Sequence, residues 1–205
     1  MTLSPQQSTN FHSVLSASGR SEEIPESADV YGWLVGSWEL DVHDYQPDGT
    51  VRKSNGEVHF AWVLEGRAVQ DVWIMPRLFD RRSDLPKTGN RYGMTLRVWD
   101  PSIQAWRVTW INPVNGDRDE LVGRKIGDNI VQIGANSDGT PIRWTFSEVT
   151  PNSFLWSGEA LQPDGKTWKL ESEFRASRRR GPVAATKTDF SDPSKPQHRD
   201  HGGSQ

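Results

Sequence analysis

The stretch V-Y-G-W-L-V-G-S-W-E-L-D-V-H-D-Y-Q, Val30 to Gln46, changes period half way along. Its first residues suit a short helical turn. From Gly36 onward the chain alternates, with Trp38, Leu40 and Val42 on one face and Glu39, Asp41 and His43 on the other. That pattern is a half-buried strand. Gly36 lets the backbone bend sharply as the turn ends, and Trp38 then places a large flat group at the foot of whatever the strand helps to enclose. A barrel floor is plugged in this way.

Downstream, Gln46-Pro47-Asp48-Gly49 suits a hairpin turn with glycine at a positive-φ position. A three-residue loop there sets Val58, Phe60 and Trp62, rather than His59, on the face of Trp38. The second strand ends Glu57 to Val63 and turns at Glu65-Gly66, and a third continues from Ala68 to Met75, where Pro76 stops it. Arg77 to Arg91 has no alternation and several turn formers, so it is an insertion, either a lid over an open barrel end or a solvated loop. Further strands run from Tyr92 to Trp99, Trp106 to Ile111, Asp119 to Ile126, Ile130 to Asn136, Ile142 to Val149, Phe154 to Leu161 and Thr167 to Ala176. About ten short strands at roughly 8- to 12-residue spacing, with no long helical pattern between them, predict an all-β fold. The expected architecture is a single up-and-down antiparallel barrel with a short N-terminal helical turn, closed so that no sheet edge is exposed.

The spacing of Gly36 and Trp38 resembles the G-x-W signature that opens the first strand of lipocalins and related calycin barrels. The later segments are similar to an uncharacterised bacterial lipocalin-like family, and the resemblance covers roughly Ser27 to Arg178. It implies a late-strand basic residue, Arg175 or Arg178, lying over Trp38 from outside. Some related small barrels ligate haem through a late-strand His; no His lies between Phe60 and Gln197, so that mode lacks its ligand here.

Composition sets the limits. The 205 residues include ten Trp but are only 34 % hydrophobic, which fits a core of large aromatics diluted by polar tails. Residues 1–26 and 178–205 are expected to be a disordered leader and a disordered tail flanking a barrel at 27–177, so that removing both tails leaves the melting temperature unchanged. A net charge of -3 offers no general attraction to nucleic acid or anionic membrane. The run Arg178 to Arg180 reads as a solubilising boundary rather than a binding patch. The absence of Cys excludes disulfides and thiolate chemistry. No targeting segment and no run of about 18 apolar residues is present, which points to a soluble, cytoplasmic protein. The sequence is compatible with a homodimer. No G-x-S-x-G, P-loop or H-E-x-x-H motif occurs, and His198 and His201 lack partners for a metal site, so no metal or cofactor is expected.

The facing of side chains brings the sequence nearest to chemistry. Pairing across Asp128-Asn129 puts Val122, Arg124 and Ile126 with Val131, Ile133 and Ala135, making Arg124 a polar exception on an apolar face. Pairing across Pro151-Asn152 puts Ile142, Trp144 and Phe146 with Leu155, Ser157, Glu159 and Leu161. The next turn adds Trp168, Leu170, Ser172 and Phe174, and sends Glu171 outward. Across Glu65-Gly66, Asp71 joins Phe60, Trp62, Val69, Trp73 and Met75. Arg97 is a further candidate, but the turn Pro101 to Gln104 leaves the faces of 92–99 and 106–111 open.

Interior charges must be paired or meet a ligand. One alternative is that Arg124 and Glu159 merely neutralise each other. The expected function is binding of a small apolar or aromatic molecule with one polar end, using Trp62, Trp73, Trp110 and Trp144 for area and Arg97, Arg124, Asp71 and Glu159 for the polar end. The alternative is a cyclase- or isomerase-type enzyme with Asp71 or Glu159 as general acid or base and Arg124 stabilising developing negative charge.

Overall fold

At φ 126°, Gly36 turns the chain out of a short 3-10 turn, Gly32–Leu34, and into the first long strand. A β-carbon there would lie 2.9 Å from the Arg178 guanidinium, so glycine is required twice over, for conformation and for space. The computed structural model describes residues 10–82 and 90–179. After a helix α1 (Phe11–Leu15) and an outside strand β1 (Ser16–Ala17) come ten strands: β2 (Gly36–Tyr45), β3 (Val51–Val63), β4 (Ala68–Met75), β5 (Arg91–Asp100), β6 (Ala105–Asn112), β7 (Asp117–Ile126), β8 (Asn129–Ala135), β9 (Pro141–Thr150), β10 (Ser153–Leu161) and β11 (Trp168–Arg178). Each pairs antiparallel with its neighbour in sequence, and β11 returns to β2, closing an up-and-down barrel. None of the helices among the described residues is long and apolar enough to cross a membrane.

The first hairpin has the expected facing: Trp38 pairs with Val58, and Trp38, Leu40 and Val42 are buried. One end of the barrel is filled by Tyr31, Leu34, Trp38, Trp106, Phe146 and Phe154, all at most 2 % exposed. Their rings meet edge to face, Tyr31 on Trp106 at 5.2 Å and Trp38 on Phe154 at 4.8 Å. Indole N–H groups are satisfied by backbone, Trp38 donating to the Leu34 carbonyl and Trp106 to that of Ala28, both at 2.8 Å.

Two facings differ from the sequence expectation. In β7 and β8 the strands pair with the expected parity, but Leu121, Gly123, Ile130 and Gln132 point inward, while Ile133 is 49 % exposed. The cause is Tyr31, whose hydroxyl would sit 2.2 Å from a β-carbon at Gly123. The inner face is kept small so that this phenol fits, and the apolar residues are left outside.

In β10, Thr150 pairs with Ser153 as a two-residue turn requires, but a bulge follows, with Glu148 at φ 50°. From there Trp156 opposes Phe146 and Gly158 opposes Trp144. One inserted residue therefore turns Leu155, Ser157, Glu159 and Leu161 outward and brings Phe154, Trp156 and Ala160 in. Trp168 and Leu170 pair with Leu161 and Glu159 and follow them outside, and a second bulge, at Gly158/Glu159, restores Ser172 and Phe174 to the interior.

Residues 10–26, expected to lie outside the fold, make specific contacts. Ser16 and Ala17 pair with Val63 and Trp62, beyond Phe60 where the pairing with β2 begins at Gly36, the Ser21 amide donates to the Gly66 carbonyl, and Ile24 is 3 % exposed. Deleting 1–26 should accordingly lower stability, by about 2 kcal/mol for the buried Ile24 alone. A melting scan checks this, the expected fall being roughly 4–8 °C for a chain of this size; an unchanged melt would show the segment adds nothing. Residues 1–9, 83–89 and 180–205, which include most of the expected tail, Arg180 and half of the 77–91 insertion, lie outside the described residues.

Candidate functional site

Strands β4 and β5 build the bottom of the site. Asp71 on β4 stands opposite Thr95 on β5 and accepts its backbone N–H at 2.7 Å. Two residues further along β5, the Arg97 guanidinium donates to the other carboxylate oxygen at 2.5 Å, and both side chains are at most 1 % exposed. The rings of Tyr31, Phe60 and Phe146 flank the guanidinium at 5.1, 5.7 and 5.8 Å. Aromatic faces and a carboxylate offset the desolvation of this cation. Burial also pushes the Tyr31 phenol well above its usual range, so it stays protonated.

Above Arg97 the barrel opens into a cavity of about 360 Å³. Trp73, Trp110, Trp144, Trp156 and Phe174 form its apolar wall. Trp156 stacks on Phe174 with centroids 4.5 Å apart and planes 6° from parallel, and Trp73 and Trp144 lean on Trp156 at 5.9 and 5.7 Å. Arg91 closes one side of the rim: it donates to Asp44 at 2.8 Å and to Ser172 at 3.1 Å, with the Phe174 ring beneath it at 5.3 Å. Despite burial, the bonds from Arg91, Arg52 and Ser172 hold Asp44 below the usual carboxylate range.

The opposite side is acidic. Asp119 on β7 faces Trp110 in the β6–β7 register and is 8 % exposed. Burial, then the charges of Asp117 and Asp138, push its carboxyl up to about 6 against a backbone hydrogen bond from Ser137. Glu171, the extra residue at the β10–β11 bulge, is exposed at the rim, and its carboxyl is also raised, chiefly by partial desolvation. Two of the lining residues, Arg97 and Asp119, each carry a buried polar atom, Nε and Oδ1, with no hydrogen-bond partner among the described residues. No group of three or more His, Cys, Asp or Glu among the described residues is placed to hold a metal ion.

Of the residues expected to form a site, Trp73, Arg97, Trp110 and Trp144 line this cavity and Asp71 anchors Arg97 beneath it. Trp62 is buried lower down, beside Trp106. Arg124 is a correction: it is exposed on the outer face and donates to the Ile103 carbonyl at 3.3 Å. So is Glu159, which the bulge turns outward into a bidentate pair with Arg143, 2.7 and 2.9 Å, packed under Trp168. The interior ion pair is therefore Arg97 with Asp71, not Arg124 with Glu159. Asp119, Trp156 and Phe174 complete the wall. Asp119 escaped the sequence reading because the β7 face was inverted, and Trp156 because of the bulge.

A closed up-and-down barrel with one plugged end and one aromatic cavity is the class that fold and site define. No family model and no curated protein sequence matches the chain. Solved structures share the fold. Rv2717c from M. tuberculosis is 14 % identical, with 77 % of this chain and 99 % of that chain covered at a TM-score of 0.55. The S-type phycobiliprotein lyase CPES from Guillardia theta is 13 % identical, covering 76 % and 94 % at 0.51. At these identities the likeness concerns the barrel fold alone.

Proposed function

We propose that this protein is a lipocalin-like binding protein whose barrel holds a small apolar or aromatic molecule with one polar end. The observation that carries the reading is the wall of four indoles and Phe174 around about 360 Å³, with two lining residues, Arg97 and Asp119, that each carry a buried polar atom without a partner among the described residues. That volume lies within the range of small-molecule sites, and an apolar lining with a few convergent polar groups is their usual composition. A buried N–H or carboxylate oxygen without a partner lowers stability, and a ligand that satisfies it recovers that loss. A barrel of this fold described as a phycobiliprotein lyase supports small-molecule handling as one use of the architecture. A second reading, acid–base chemistry in the same cavity, moves from Asp71 and Glu159 to Asp119, whose carboxyl is pushed up to about 6 by burial and the neighbouring carboxylates.

The test is fluorescence titration with the uncharged probe N-phenylnaphthylamine. Saturable one-to-one binding is expected, weakened about tenfold by Trp156→Ala, which removes the stacked ring. Arg124→Met and Glu159→Gln, both on the outer face, should leave the affinity unchanged. Absence of binding, or equal sensitivity to inner and outer substitutions, would sink the cavity reading.

A further inference from the structure

We propose, resting on the ligand-binding reading above, that the polar end of the ligand is a protonated amine, held by Asp119 with its ammonium against the indole wall. The charged groups that line the cavity are Arg91, Arg97, Asp117, Asp119, Asp138 and Glu171. Both arginines are already committed, Arg97 to Asp71 and Arg91 to Asp44. Among the described residues, none of the four carboxylates forms such an ion pair. Asp117 accepts from the Asn115 side-chain amide and Asp138 from the Thr140 backbone amide and the Thr140 and Asn136 side chains, none of which neutralises charge. The charge of Lys169 partly offsets the effect of desolvation on Glu171, and no direct ion pair joins the two among the described residues. The open half of the cavity is thus a field of unneutralised negative charge, which favours a cation over an anion or a neutral molecule.

Asp119 narrows the class. It lines the cavity, is 8 % exposed, and its buried Oδ1 has no partner among the described residues. A carboxylate oxygen only accepts hydrogen bonds, so the group that completes it carries an N–H or O–H. A charge-assisted N–H to carboxylate bond is about twice as strong as a neutral one. Trp110 lies directly across the strand pair from Asp119, and Trp144 packs on Trp110 at 6.5 Å. Indole faces attract cations, so the wall that receives the apolar body also receives the ammonium. The wall alone would accept any flat apolar molecule, and the acidic rim alone would serve as a solvated edge. The buried carboxylate between them, one oxygen of which has no partner among the described residues, selects an amine with at least one N–H. Arg97 Nε, deeper in the cavity, is left to meet a hydroxyl or carbonyl at the far end of the ligand.

Calorimetric titration of the full chain with four matched probes tests this: tryptamine, its trimethylammonium counterpart, tryptophol and indolepropionate. Near pH 7.5 tryptamine should bind about tenfold or more tightly than tryptophol, with the trimethylammonium compound between them and indolepropionate weakest. Asp119→Asn should abolish the tenfold preference for tryptamine and leave tryptophol unchanged. In the unmodified protein the preference should fade between about pH 7.5 and about pH 5, because a protonated Asp119 is neutral; this arm stands even where the variant misfolds. Tightest binding of indolepropionate would assign the polar end to Arg97 and overturn the inference. Equal affinities for all four would overturn it while the aromatic-cavity reading stands, and failure of all four to bind at millimolar concentration would remove both.

Discussion

Asp71→Leu and Arg97→Met should each lower the unfolding free energy by about 3 to 5 kcal/mol, and the double variant should recover most of that loss. Both side chains are at most 1 % exposed and share a 2.5 Å hydrogen bond. Removing one leaves the other charged in a region it cannot escape, since Asp71 is fixed by the Thr95 amide and Arg97 is enclosed by Tyr31, Phe60 and Phe146. The single losses are set by the stranded charge rather than by the net worth of the pair, which is why the double replacement is much milder. Urea unfolding of the four proteins provides the cycle. Losses that simply add would show that the residues do not depend on each other. Asp71 would then be free to act on a ligand rather than to neutralise Arg97.

The same pair shows what was legible in the chain. Asp71 is found on the inner face from sequence because the β3–β4 turn, though it spans residues 64–67, keeps the parity of a two-residue hairpin, pairing Val63 with Ala68. Arg97 could not be fixed because its orientation passes through the turn after Asp100, whose last residue, Gln104, adopts φ 48°. Alternation identified which residues of β7 and β8 share a face but not which face is inward. That choice depends on Tyr31, about ninety residues earlier, whose hydroxyl meets Gly123 and Gln132. Hydrophobicity there points the wrong way, since Val122 and Ile133 pair on the outside and the interior takes glycine and glutamine. The bulge at Glu148 has no local signal either, and because strands have period two, one extra residue moved Glu159 from the cavity to the surface. The acidic side of the site was hidden by these two effects together. The floor, in contrast, rests on a contiguous motif, and it was legible.

Trp38→Ala should destabilise the protein by about 3 to 5 kcal/mol, the range for emptying a buried aromatic site that cannot collapse. Trp38 is 0 % exposed; its ring packs on Phe154 at 4.8 Å and Trp33 at 6.2 Å. Collapse is resisted from outside by Arg178, which lies 4.0 Å over the indole. Its guanidinium is locked by bonds to the carbonyls of Pro151, Val35 and Trp33 at 2.8, 2.9 and 2.7 Å. Of the two late-strand candidates, Arg178 is therefore the cover, while Arg175 is exposed and paired with Glu173. Arg178→Ala should cost about 1 to 3 kcal/mol through the cation–π contact and the released carbonyls. The double variant should lose less than the sum, because the ring and its cover stabilise each other. The plug lies at the end of the barrel away from the cavity, on the far side of Arg97, so probe affinity of the folded protein should stay unchanged while its urea midpoint falls. A loss under about 1 kcal/mol would show that the remaining rings close over the gap and that Trp38 does not organise the floor.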